Sequence, residues 1–155
     1  MPSRKDPRRI GMLISDGSDA ATIDRVRAAA TDEGAGLSFI ALTDGGVTCS
    51  DGAHVDVDVA LAETASMVFD LVVIAPSTRG AAQLARNAAG LDFVRRALVR
   101  VKVIGATAEA AALLRRVGVV VSEGVIAIDG PRGLSRFISA ARKARVWHRA
   151  QQRRA

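Results

Sequence analysis

The segment VKVIGATAEAAALLRR, Val101 to Arg116, sets an apolar β-branched strand, a glycine-containing corner and a helix in immediate succession. In α/β proteins such a corner is where a nucleophile is presented, because the sharp turn lifts one side chain clear of the sheet. A thiolate or alkoxide there needs a lowered pKa or an adjacent base, and an open pocket. This corner reads Gly105-Ala106-Thr107, with neither Cys nor Ser. Thr107 carries its only hydroxyl. No His lies near it in sequence to serve as base, and the residue suits the N-cap of the helix that follows.

The other residues with chemical potential are few. Cys49 is the single cysteine, and the charge of Asp51 beside it raises a thiol pKa rather than lowering it. His54 and His148 share no ligand spacing with each other or with a second Cys, so no zinc site is expected. Asp56 and Asp58 alternate on one strand and lack a third oxygen-rich partner for a hard cation, which fits a solvated edge face. Open α/β sheets bind ligands beyond the carboxyl ends of their strands. That rule places any pocket at Asp16, at Pro76, Ser77, Thr78, Arg79 and Gly80, and at Thr107.

The elements that must position these residues alternate. Ile10–Ile14 reads as a strand, and a helix capped by Ser18 or Asp19 runs to about Glu33 with Ile23, Val26 and Ala30 buried. Gly34 ends it, and Leu37–Leu42 is a second strand. This βαβ unit implies a parallel sheet covered on both faces. No GxGxxG follows the first strand, so a dinucleotide fingerprint is absent. Val55, Val57 and Val59 alternate with Asp56 and Asp58 as one half-solvated strand, turned at Asp51-Gly52 to pair with Val47–Cys49. A short helix around Glu63–Val68 and a buried strand Leu71–Ala75 follow. Ala81–Asn87 and Leu91–Val99 read as one or two helices separated by Gly90. After the corner come a short strand near Val119–Val121, a turn at Glu123-Gly124, a strand Val125–Ile128, and a helix from Gly130-Pro131 through Trp147.

Composition bounds what such a chain can be. At 155 residues and 49% apolar it is one domain with a substantial core. Its apolar runs are too short to span a bilayer, and its polar start lacks the hydrophobic region of a signal peptide. With one cysteine, no internal disulfide is possible, which suits the cytoplasm. The net charge of +6 sits at the two ends: residues 130–155 hold eight basic side chains and no acidic one. The body between is mildly acidic. Without interleaved aromatics, the basic ends read as solvated or partner-facing segments rather than a nucleic-acid site.

GMLISDGSDA with its following helix, the hairpin GGVTCSDGAHVDVD and the terminal ARVWHR together carry a resemblance, which FDLVVIAPS and VIGATAEAAALL support in the same register. The chain resembles the ThiJ/PfpI branch of the class I glutamine-amidotransferase-like superfamily. More narrowly, over residues 9–150, it resembles the C-terminal domain of large-subunit haem catalases. The resemblance implies a flavodoxin-like three-layer sandwich, with a mainly parallel sheet and an edge β-hairpin. It spans residues 10–148, between a basic lead (1–9) and a basic tail (149–155).

Active members of that branch present a Cys at the elbow, supported by an acid after the first strand. Strand register puts that position on Gly105, and counting back from Leu113 puts it nearer Thr107. Asp19 falls near the acid. The catalase domains have also lost the nucleophile, and peroxide chemistry there belongs to a separate haem domain with an axial tyrosine. This chain has no tyrosine. The resemblance therefore implies a non-catalytic structural or assembly domain, chaperone-like and linked to peroxide defence. It would carry no cofactor or metal, and its partners would be further copies of itself or a catalase haem core. Two alternatives are a ThiJ/PfpI-type hydrolase or deglycase with an atypical elbow residue, and a ligand- or nucleic-acid-binding module. The sequence leaves two extents open, a free-standing polypeptide and part of a longer catalase.

Overall fold

The structure, a computed structural model, describes residues 8–101, 103–119 and 125–154. Its centre is β1 (Arg9–Leu13), whose residues beyond Arg9 are all buried. β1 pairs in parallel with β2 (Gly36–Ala41) on one side and β6 (Leu71–Ile74) on the other. Beyond β6 lie β7 (Val103–Ala106) and β8 (Val125–Ala127), and beyond β2 lies β5 (Val59–Ala60). The six-stranded sheet has the order β5-β2-β1-β6-β7-β8, parallel throughout. LVVI in β6 is an unbroken apolar run because helices cover both of its faces.

Side-chain alternation splits the core in two. Ile10, Met12, Val73 and Val103 meet Ile23, Val26 and Ala30 of α1 (Ala20–Asp32) and Phe137 and Ala141 of α5 (Gly130–Arg154). Leu13, Val72, Ile74 and Ile104 meet α2 (Thr78–Leu84), α3 (Ala88–Arg100) and α4 (Ala111–Arg116). The result is the three-layer α/β sandwich expected. Each fully buried aliphatic or Phe side chain contributes roughly 1.5–3 kcal/mol. α1 ends as its glycine requires: Gly34 has φ +67°, and Ala35 N donates back to Ala30 O at 2.9 Å.

The hairpin forms, but not at the edge of the main sheet. β3 (Val47–Thr48) and β4 (His54–Val55) make a separate antiparallel pair around the Asp51-Gly52 turn. It docks on the loop after β1, where Gly17 N donates to Thr48 O (2.8 Å) and Ser50 N to Ser18 O (2.9 Å). The expected single strand through Val55, Val57 and Val59 is broken at Asp58. Its carboxylate accepts from Phe39 N (2.7 Å) and its own N–H donates to Phe39 O (2.9 Å), turning the chain so that β5 takes the edge beside β2. Asp58 is thus tied to the sheet, not merely solvated.

Two helix boundaries also differ. Asn87, not Gly90, divides α2 from α3, because its side chain caps α3 by accepting from Gly90 N (3.0 Å). Gly90 lies in the first turn of α3, where a Cβ would come 2.9 Å from Leu84 O, so it permits close packing of the two helices. The segment 61–66 is a 3₁₀ helix. Val119 is outside any strand, and residues 120–124, including the expected Glu123-Gly124 turn, lie outside the described residues. α5 runs past Trp147 to Arg154; the side chain of Trp147 lies outside the described residues.

Candidate functional site

Gly105 sits inside β7, paired with Val73 and Ile126. A Cβ there would stand 2.8 Å from Ile128 Cγ2 and 3.0 Å from Phe137 Cδ1. A side chain at this position would have to push aside Ile128 and the Phe137 ring that packs α5 on the sheet. Thr107 is the first residue past the strand, and its N–H donates to Ile74 O (3.1 Å). It is only 5% exposed. Its backbone is extended (φ −87°, ψ 163°), and no non-glycine among the described residues has positive φ. The strained geometry that lifts a nucleophile off a sheet is absent here.

Thr107 occupies the N-cap position of the 3₁₀ turn Ala108–Ala110, yet its hydroxyl makes no capping bond. Its Oγ1 is buried without a hydrogen-bond partner among the described residues. The turn is capped instead by Asp129, whose carboxylate accepts from Ala108 N at 2.9 Å. Sequence reasoning missed Asp129 because it lies 21 positions downstream, beside the glycine that opens α5.

Asp19 caps α1. Its carboxylate accepts from Thr22 N (3.0 Å) and Thr22 Oγ1 (2.7 Å), and these bonds hold its pKa below the ordinary value. A carboxylate engaged in this way stabilises a helix start and stays ionised, the opposite of what a proton-transferring acid needs.

The carboxyl ends of β1 and β6, where the sheet order reverses direction, are joined by serines. Ser77 Oγ donates to Asp16 O (2.6 Å) and accepts from Gly80 N (3.0 Å). Its proton being committed, the 3.2 Å Ser15–Ser77 hydroxyl contact has Ser15 as donor, while Ser15 Oγ accepts from Ser77 N (2.9 Å). Ser18 Oγ donates to Ala75 O (2.8 Å) and accepts from Ser15 N (3.0 Å). Gly80 completes the closure, because a Cβ there would fall 1.9 Å from Ser15 Oγ. The crevice in which such sheets bind ligands is filled by the protein's own hydroxyls.

Of the residues expected around a pocket, Asp16 and Gly80 line one cleft of about 140 Å³. Its other walls are Ser15, Thr43, Gly46 and Gln83, with the aliphatic side chains of Ile14, Ala41, Leu42, Val47 and Leu84. Pro76 is buried, Ser77 belongs to the serine network, Thr78 and Arg79 stand exposed at the start of α2, and Thr107 is not in the cleft. Ser15 and Thr43 lacked a sequence signal, since isolated hydroxyls in a turn read as turn formers, and Ser18 read as a helix cap, the place Asp19 takes.

Cys49 is buried in the hairpin, and its thiol pKa is pushed up first by that burial and then by Asp51. His54 pairs with Asp56 at 3.4 Å, both exposed. Among the described residues no group of three or more His, Cys, Asp or Glu is placed to hold a metal. No helix among them is long and apolar enough to cross a membrane.

A parallel sheet with a strand–turn–helix corner at its carboxyl edge defines a flavodoxin-like α/β domain built on an elbow. The chain belongs to the DJ-1/PfpI family, whose pattern matches residues 8–132. Among solved structures it resembles DJ-1beta of Drosophila melanogaster, with a TM-score of 0.66 and 21% identity over 74% of this chain and 62% of that one. Among curated proteins it is similar to the C-terminal region of large-subunit catalases. It is 35% identical over 150 residues to Catalase C of Rhizobium meliloti, covering 96% of this chain and 21% of that protein. It is 25% identical over 142 residues to Catalase HPII of Pseudomonas putida, covering 92% and 20%. The chain thus spans about a fifth of the length of these relatives.

Proposed function

We propose that this chain is a non-catalytic assembly domain, a pseudoenzyme of the DJ-1/PfpI fold that serves a haem catalase core in peroxide defence in the cytoplasm. The observation that carries the reading is the shut elbow: a side chain at Gly105 would press on Ile128 and Phe137, and Thr107 is buried with no hydrogen-bond partner for its hydroxyl among the described residues. The similarity to catalases supports the choice of partner. The role is chaperone-like, binding the core while it folds rather than acting on a substrate.

The test is a refolding assay. A haem catalase core stripped of its own C-terminal domain is diluted from denaturant with haem, with and without this chain. The expected result is a higher yield of active catalase when the chain is present at equimolar amounts, and no such rise with an unrelated α/β domain of equal size. An unchanged yield overturns the assembly role.

A further inference from the structure

A second groove, of about 90 Å³, lies between α3 and the segment that holds the 3₁₀ helix 61–66. Its walls include Phe69 and Val101, which precede β6 and β7, so it opens at the amino end of the sheet. That is the edge opposite the elbow and the serine network. Val72, Phe93 and Ala97 line it and are buried, which makes them its floor. Apart from Arg96, Arg100 and Thr64, every lining residue is apolar, and none is acidic. The neighbouring acids Glu63 and Asp70 are not among the walls, and the Asp70 carboxylate accepts instead from Arg9 N (2.8 Å).

Arg96 and Arg100 are four residues apart on α3 and so are neighbours on one helix face, where like charges destabilise the helix. Neither forms an ion pair among the described residues. Arg96 donates to the neutral Thr64 Oγ1 at 3.3 Å, and that hydroxyl in turn donates to Leu61 O (2.7 Å). The contact uses one of the five N–H donors of the guanidinium. The negative end of α3 favours a cation in its last turn, which accounts for Arg100. It does not account for Arg96, a full turn earlier, where the influence of the helix end has fallen off.

The complement of two cations beside an apolar floor is a molecule with one anionic head and a short apolar body. A carboxylate can accept from both guanidiniums while its chain covers Val72, Phe93 and Ala97. The groove, at about 90 Å³, is smaller than the roughly 150 Å³ apolar cavity that takes up a benzene ring, so it suits a chain rather than a ring. We propose that it binds small aliphatic monocarboxylates, the head held by Arg96 and Arg100 and a chain on the order of four to six carbons on the floor. This stands independently of the assembly role.

Titration of the full chain with hexanoate, followed through amide chemical shifts in two-dimensional NMR, tests it. The expected result is saturable shifts in the 3₁₀ helix, the loop after it and the last two turns of α3, with a dissociation constant of about 1 mM or below. Hexanol keeps the chain without the charge and acetate the charge without the chain, and each should bind at least about tenfold more weakly. Arg96→Gln and Arg100→Gln should each weaken hexanoate binding about tenfold while the spectrum stays that of a folded protein. Arg100 stands exposed, so its variant keeps the test decisive whatever Arg96→Gln does to the fold. Absence of saturable shifts with hexanoate, equal binding of hexanol or hexylammonium, or an affinity unchanged by Arg100→Gln each overturns the proposal. Hexyl phosphate binding more tightly than hexanoate would assign the arginines to a phosphate monoester, and so also overturns it.

Discussion

Thr107 concentrates the question of whether this elbow can do chemistry. A buried hydroxyl without a partner costs about 1–3 kcal/mol relative to a satisfied one, and Thr107 Oγ1 has no partner among the described residues. Thr107→Val keeps the shape of the side chain and deletes the unbonded oxygen. The variant should therefore unfold at the same or a higher denaturant concentration, with a gain of up to about 1 kcal/mol. A lower midpoint would mean the hydroxyl serves a polar partner that the fold requires. The absence of a Cys or Ser from the corner was visible in the sequence. What could not be read there was that Asp129 does the capping and leaves Thr107 idle, because that bond joins two loops distant in the chain.

At the scale of elements, most of the sandwich was legible because its signals are local. Asp19 and Gly34 bracket α1, the apolar run LVVI gives β6, and Asp51-Gly52 turns the hairpin. One reading that failed depended on a tertiary bond: Asp58 grips Phe39 and sends β5 to the sheet edge. The other failed on a local one, since Asn87 caps α3 from three residues ahead of Gly90 and so divides the helices in its place. The candidate site was hardest, since its decisive contacts join the loop after β1 to the start of α2. Ser15 and Ser77 are 62 residues apart. Gly80 tests that junction: with only 1.9 Å between a new Cβ and Ser15 Oγ, Gly80→Ala must push the serines apart. We expect a loss of about 1–3 kcal/mol in unfolding free energy, as overpacking typically costs. Pairing it with Ser15→Gly, which removes the opposing side chain, should give a smaller loss than the two single changes added together. Strict additivity in that cycle would mean the clash is relieved elsewhere.

For the whole molecule, the distribution of function follows from what the fold leaves open. Both core clusters are filled from the sheet outward, the switch-point crevice is occupied by serines, and the cleft of about 140 Å³ beside it is walled by hydroxyls, an amide and aliphatic groups. Its one carboxylate, on Asp16, already accepts from Thr48 N. Neither a nucleophile–base pair nor a cysteine thiolate stands there, for the single thiol, Cys49, is buried in the hairpin with its pKa raised. The 155 residues also contain no tyrosine to serve as the axial haem ligand of a catalase. The similarity to catalases covers the C-terminal region of those proteins. We predict that the purified chain, mixed with haem, shows no peroxide turnover above that of free haem, and that it has no proteolytic or glyoxalase activity. Thr107→Cys should not create any, because a thiol at this buried position has its charged form disfavoured by desolvation. The measurements are oxygen evolution from peroxide, cleavage of an unfolded protein substrate, and loss of a 2-oxoaldehyde, each for the parent and the variant. Glyoxalase turnover in the parent that Thr107→Val abolishes would reopen the elbow as a catalytic site, and a Soret band accompanied by oxygen evolution would place haem chemistry on this chain.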